Sequence, residues 1–267
     1  MVASHIFCDE KGFVHKISHK VPFDLERYFQ PNSYDWKIDV NELEMRENSL
    51  SLVLPSLRNK DTMHYVLNLY TQLHGLEYLF LTSCEGVDPD IYSTIFNKLF
   101  RSSDYLIELY KSALPWHIGQ PYISISFRFC NLLGDSNERF LQPLEISQQK
   151  LLISVCHKQI DLIQNDNLPI IVTSDSPTFL NSLSGKSNVY CLSKKLLENG
   201  IYTQSHIGFS SVVNTLESDK VFLDFMTISN AQTAYQVKLG PMYKSRFPEY
   251  AAIVGNVPYQ LLEIPML

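Results

Sequence analysis

The sequence predicts an α/β protein: a parallel β-sheet with helices on both faces, preceded by a smaller mixed N-terminal domain. Three observations carry that expectation. Residues 122–127, 168–173 and 233–237 are short β-branched or continuously apolar runs bounded by turn residues, the pattern of strands buried on both faces. Segments with helical spacing alternate with these runs, and strands alternating with helices build a parallel sheet. A chain of 267 residues, 45% of them hydrophobic, is also long enough for a sizeable core, in one large domain or two modest ones at roughly 100–200 residues each.

Taken in order, the first 60 residues are irregular. PFDLERYFQPNSYDWKIDV (22–40) mixes aromatics with Pro and Asn and sustains neither period 2 nor period 3.6, so no firm fold is assigned there. Met63, Val66, Leu67, Tyr70 and Leu73 have helical spacing, with Asp61 or Thr62 as the cap. LEYLFLT (76–82) reads as a buried strand, and a single helical stretch is expected from about Ile91 to Leu114. ALPWHIGQP (113–121) breaks the pattern twice with proline, which divides the chain into residues 1–118 and 119–267.

In the second part, YISISF (122–127) alternates and is rich in β-branched and aromatic residues, a strand. Leu151, Leu152, Val155 and Ile163 define a helix over 147–164 with Ser147 as its cap. LPIIVT (168–173) and NVYCL (188–192) are strands, VFLDFMTISNA (221–231) a helix and TAYQV (233–237) a strand. PEYAAIVG (248–255) opens on a first-turn proline and ends in Gly-Asn, the asymmetry of a helix.

With 22 basic and 28 acidic side chains and a pI near 5.7, the chain lacks the basic excess with which proteins meet nucleic acid or anionic lipid. Cys8, Cys84, Cys130, Cys156 and Cys191 form no CxxC pair, and an odd count points to reduced thiols rather than a disulfide framework. MVASHIFCDEKG does not have the order of a signal peptide, and no run of about 18 apolar residues occurs, so the expectation is a cytoplasmic protein with no integral membrane segment. His15 and His19 are four apart but have no third ligand, so no metal is expected.

Three polar clusters each follow a strand: Arg128 after YISISF, Thr173-Ser174-Asp175 after PIIV, and LGPMYKSRF (239–247) after TAYQV. In an open parallel sheet ligands bind beyond the carboxyl ends of the strands, so these loops should meet in one crevice. Ser245 and Arg246 precede a helix N-terminus, which favours an anion, and an arginine from a neighbouring strand end would complete a phosphate clamp. GxxxxGK[ST] and GxGxxG are both missing, so a P-loop or a dinucleotide cofactor is not expected. Each residue also has a plain structural reading. Arg128 fits an ion pair, Asp175 a turn cap, Asp224 a solvated helix charge and Ser245 a helix cap.

ISISFRFCNLLGD (123–135), IIVTSDSPTFL (170–180), FLDFMTISNA (222–231) and SRFPEYAAIVGN (245–256) resemble, in order, the donor-half motifs of fucosyltransferase-like glycosyltransferases of the GT-B type. The resemblance covers about residues 119–260 and implies a Rossmann-like sheet. It also implies transfer of fucose or a related sugar from a GDP-sugar to a glycan acceptor, with no cofactor or metal. By that resemblance Arg128 contacts the donor diphosphate, Asp224 holds guanine, Asp175 sits in the turn motif and Ser245 in the phosphate-binding loop; Thr173 and Arg246, from the strand-end and helix-start positions above, join them as nucleotide-sugar-binding candidates. Ser126 stands where the family has the histidine of His-x-Arg. Asp135 and His206 are the candidate general bases for the acceptor hydroxyl. The serine at 126 motivates an alternative, a catalytically silent protein that binds nucleotide sugar or acts as a scaffold. A phosphate-ester hydrolase using the same crevice is a third reading, which a metal requirement would favour.

Overall fold

The computed structural model describes residues 24–37, 49–53, 78–82, 89–135, 141–164, 168–194, 196 and 215–265. The expected helix over 61–73, the His15–His19 pair and His206 lie outside the described residues. In chain order the elements are α1 (Leu25–Tyr28), β1 (Phe29–Pro31), β2 (Ser49–Val53), β3 (Tyr78–Thr82), α2 (Pro89–Leu99), β4 (Phe100–Ser102) and α3 (Asp104–Ala113). They continue with β5 (Ile123–Phe127), α4 (Ile146–Ile163), β6 (Ile170–Ser174), α5 (Pro177–Ser182) and β7 (Val189–Tyr190). Last come α6 (Thr215–Ser229), β8 (Thr233–Leu239), α7 (Phe247–Gly255) and β9 (Tyr259–Ile264). The chain forms two compact units, one of Gln30–Arg101 and the other of Val21–Phe29 with Ser102–Leu267.

In the first unit β2 and β3 pair in parallel, Ser49 opposite Tyr78, and the strand expected over 76–82 is present as β3. The single helix expected over 91–114 is instead two, α2 and α3, separated by β4. Tertiary contacts override the periodicity there. The Leu99 carbonyl accepts from Trp36 Nε1 at 2.7 Å instead of continuing the helical ladder, and Phe100 packs against the Trp36 ring at 5.2 Å. Ser103 then starts α3 as its N-cap, its Oγ accepting from the Leu106 N–H at 3.1 Å.

The second unit is built on a five-stranded sheet in the order β7-β6-β5-β8-β9, every pair parallel. From the central β5 the chain winds outward through β6 and β7, then returns to place β8 on the other side. The junction of β5 and β8 is therefore the topological switch point, where such sheets leave a crevice. Alternation along the strands sends Ile123, Ile125, Phe127, Val172, Val237 and Leu239 to one face, where they pack with Leu152, Cys156 and Ile160 of α4. Helix α4 is capped by Glu145 rather than by Ser147, because Glu145 and Gln148 close a capping box in which the Glu145 N–H donates to Gln148 Oε1 at 3.2 Å.

The opposite face is covered by α6 and α7, with Ala234 against Ile228, Ala251 and Ala252. The two helices touch closely: a Cβ on Gly255 would lie 2.0 Å from the Ser229 carbonyl oxygen, so only glycine fits there. Asn256 closes α7 in the left-handed conformation, φ 54°, as the Gly-Asn ending implies. Helix α6 begins at Thr215, earlier than the apolar run at 221 suggests, because its first turns are held by polar anchors. Asp219 accepts from Tyr28 Oη and Tyr105 Oη, each at 2.7 Å, and the Tyr28 ring stacks on Phe222 with centroids 4.0 Å apart. Those anchors orient the turn of α6 that carries Lys220 and Asp224.

Candidate functional site

A cavity of about 250 Å³ opens at the switch point, walled by the ends of β5 and β6, the middle of β8, one side of α6 and the segment leading into α7. Its floor is a polar row across three strands. Ser126 of β5 lies in register with Thr173 of β6 and with Gln236 of β8, and the Ser126 and Thr173 hydroxyls hydrogen-bond at 2.8 Å.

Arg128 emerges just beyond the end of β5 and reaches back to Asp175, with Nη1 3.3 Å from Oδ2. Asp175 is buried and binds the same loop twice more, accepting from the N–H of Phe129 on Oδ1 at 2.8 Å and from that of Cys130 on Oδ2 at 2.7 Å. It thus holds a loop that turns through a positive φ of 54° at Cys130. Burial pushes the Asp175 carboxyl above its ordinary range, against the pull of Arg128 and the two backbone donors. The Arg128 carbonyl accepts from the Tyr243 N–H at 3.2 Å, tying the loop after β8 to the loop after β5.

On the α6 side, Lys220 and Asp224 face the cavity one helical turn apart, with Lys220 Nζ donating to Asp224 Oδ2 at 2.7 Å. Both side chains are buried, 4% and 10% exposed, which is uncommon for charged residues on a helix and marks the pair as internal. Burial pushes the Asp224 carboxyl up and Lys220 opposes it. Among the described residues, the cavity is therefore lined by two cations and two carboxylates.

Of the residues singled out in the sequence, Ser126, Arg128, Thr173, Asp175, Asp224 and Ser245 all line this one cavity. Ser245 also meets the start of α7, its Oγ accepting from the Phe247 N–H at 3.2 Å, while Arg246 stands at the N-cap position. Arg246 is not among the lining residues; it is exposed, with Nη1 3.3 Å from Glu249 Oε2 and its guanidinium 5.8 Å from the Tyr250 ring centre. Asp135 is outside the cavity as well. Its carboxylate crowns α5, accepting from Ser176 Oγ and, at 2.5 Å, from Thr178 Oγ1. Lys220 and Gln236 were not foreseen. The i, i+4 spacing of Lys220 to Asp224 was visible in the sequence, and so was the polar Gln236 inside an otherwise apolar strand.

Among the described residues no group of three or more His, Cys, Asp or Glu side chains gathers as metal ligands, and no helix is long and apolar enough to cross a membrane.

A cavity at the switch point of a parallel sheet, lined by an arginine, buried carboxylates and a helix end, stands where open α/β sheets place their ligands. Solved structures narrow the fold to that of the fucosyltransferases. The chain is similar to Arabidopsis thaliana FUT1, solved as a variant in complex with GDP, with a TM-score of 0.59 at 12% identity over 99% of this chain and 67% of that one. It is also similar to the fucosyltransferase NodZ from Bradyrhizobium, with a TM-score of 0.56 at 12% identity over 94% of this chain and 86% of that one. A NodZ α-1,6-fucosyltransferase soaked with GDP-fucose gives 0.50 at 12% identity over 95% and 86%. No family model and no curated protein matches the sequence. The architecture foreseen, a parallel sheet with helices on both faces in a GT-B-like protein, is the one found.

Proposed function

We propose that the chain is a glycosyltransferase-like protein that binds a GDP-sugar, GDP-fucose foremost, in the switch-point cavity. Residues 119–267 would form the donor side and residues 1–118 the acceptor side. The observation that carries this reading is the convergence of Arg128, Asp175, Asp224 and Ser245, four segments distant in sequence, on one cavity. A fold shared with proteins solved with GDP and GDP-fucose supports the choice of nucleotide. In the reaction, the bond from the anomeric carbon to the diphosphate breaks as the bond to an acceptor hydroxyl forms. Arg128 would offset the charge that builds on the leaving diphosphate, and a base would take the acceptor proton. The thiols of Cys130, Cys156 and Cys191, which form no disulfide among the described residues, favour a reducing compartment such as the cytoplasm.

Calorimetric titration with GDP and GDP-fucose tests the reading. Arg128→Ala is expected to weaken GDP binding by about 1.5–3 kcal/mol, the range for a hydrogen bond to a charged group. Wild-type protein that binds neither ligand, or a variant that binds as tightly as wild type, would refute it.

One set of observations favours a silent, nucleotide-binding protein as the second reading. Ser126 replaces histidine and spends its hydroxyl on Thr173, Asp135 is engaged at α5, and both carboxylates lining the cavity are ion-paired. A donor-hydrolysis assay run with an acceptor-glycan screen separates the two, since a silent protein binds nucleotide and turns nothing over.

A further inference from the structure

We propose that Lys220 is a second phosphate-binding cation of this cavity, placed on α6 to share the nucleotide's diphosphate with Arg128. The inference rests on the nucleotide-binding reading above and adds to it a residue outside every motif that suggested that reading. Lys220 lines the cavity and is 4% exposed, so its ammonium is held in the interior by design of the helix rather than by reaching from the surface. Asp224 holds it at 2.7 Å, and the same cavity is lined by Arg128 and by Asp175, the residue that fixes Arg128. The two cations, one from the end of β5 and one from α6, thus face a common space from different elements.

Two further arguments point to phosphate. A buried ion pair adds little stability relative to apolar residues of the same size, so the Lys220–Asp224 pair on the sheet side of α6 calls for another reason to exist. The cavity also contains a donor that awaits an acceptor. Gln236, 1% exposed, takes a hydrogen bond on Oε1 from Tyr259 Oη at 2.6 Å, while its Nε2 has no partner among the described residues. Burial, together with Glu249, pushes the Tyr259 hydroxyl up to about 12, so it keeps its proton and fixes the amide with nitrogen turned away from β9. Arginine, lysine and the amide nitrogen can only donate, and the oxygens of a diphosphate can only accept.

The alternative is that Lys220 does nothing but steady Asp224. Titration of guanosine, GDP and inorganic pyrophosphate into the full chain distinguishes these roles, using wild type, Lys220→Gln and Lys220→Arg. If Lys220 meets phosphate, the ratio of GDP to guanosine affinity falls about tenfold or more in Lys220→Gln and recovers in Lys220→Arg. Should Lys220→Gln fold poorly, the apolar pair Lys220→Met with Asp224→Leu keeps the packing, and its pyrophosphate affinity is expected to drop by a similar factor. An equal loss of guanosine and GDP affinity in Lys220→Gln, or pyrophosphate binding unchanged in the double variant, overturns the assignment of Lys220 while leaving the Arg128 result intact. Wild-type protein with no affinity for GDP overturns the nucleotide reading and this inference together.

Discussion

On the face of the sheet packed by α4, the strands present Ile123, Ile125, Phe127, Val172, Val237 and Leu239. On the face packed by α6 and α7, the intervening residues of the same strands include Ser124, Ser126, Thr173, Ala234 and Gln236. Each strand therefore carries a core surface and a site surface one residue out of step. The difference teaches where to look for function in such a sheet. Apolar burial is satisfied by area alone, whereas a buried hydroxyl, amide or carboxylate must be met by a specific partner. The α4 face is filled by interchangeable apolar volume, and the α6–α7 face by partners that only this geometry supplies.

The contrast can be broken from either side. On the apolar face, Phe179 of α5 is fully buried and lies 4.8 Å from the Phe127 ring and 4.9 Å from that of Phe129. Phe179→Ala should cost about 3–5 kcal/mol in denaturant unfolding, yet the molecules that remain folded should bind GDP as wild type does. Asp175→Ala, on the polar side, should cost about as much, roughly 3–5 kcal/mol, because Arg128 and the N–H groups of Phe129 and Cys130 lose their acceptor. Here GDP affinity should fall with stability, since the loop carrying Arg128 is released. A stable Asp175→Ala protein with normal GDP binding would show that the carboxylate organises nothing.

The smallest effect sharpens the comparison at the edge of the apolar face. His157 of α4 hydrogen-bonds Ser182 Oγ at 2.9 Å and stands edge-on to Phe179, with ring centres 6.0 Å apart. Burial, and then the charge of Lys186, lowers its pKa from 6.5. The folded state therefore holds a proton there less well than the unfolded state. Its contribution to stability is present above about pH 6.5 and is lost as pH falls through the lower folded value. Melting temperature followed from about pH 7.5 to 5 should show a small decline that His157→Gln flattens; identical profiles would remove histidine from the account.

Much of the second unit was legible because its residues obey one rule at a time. The strands at 122–127, 168–173 and 233–237 read directly from β-branched and apolar runs, and the helix at 248–255 from its proline and its Gly-Asn end, since burial on both faces and capping are local requirements. The convergence of Arg128, Asp175 and Ser245 was also legible, because a parallel sheet delivers every strand end to the same edge. Periodicity misread residues 91–114 as one helix, for nothing local reveals that Trp36 claims the carbonyl of Leu99. Arg246 and Asp135 carry the right chemistry beside the right elements, and their rotation away from the cavity is decided by Glu249, Ser176 and Thr178.

By itself the sequence determined the strands near 122–127, 168–173, 188–192 and 233–237, the helices near 147–164, 221–231 and 248–255, and the set of polar segments that end up at the sheet's carboxyl edge. These follow from hydrophobic periodicity and chain direction, which act over a few residues. Only the tertiary structure decided which of those polar side chains share one cavity, that Lys220 joins Asp224 inside it, and that the amide of Gln236 is left seeking an acceptor. Those outcomes depend on pairings between elements far apart in the chain, where a displacement of one residue along a strand would turn every side chain to the opposite face.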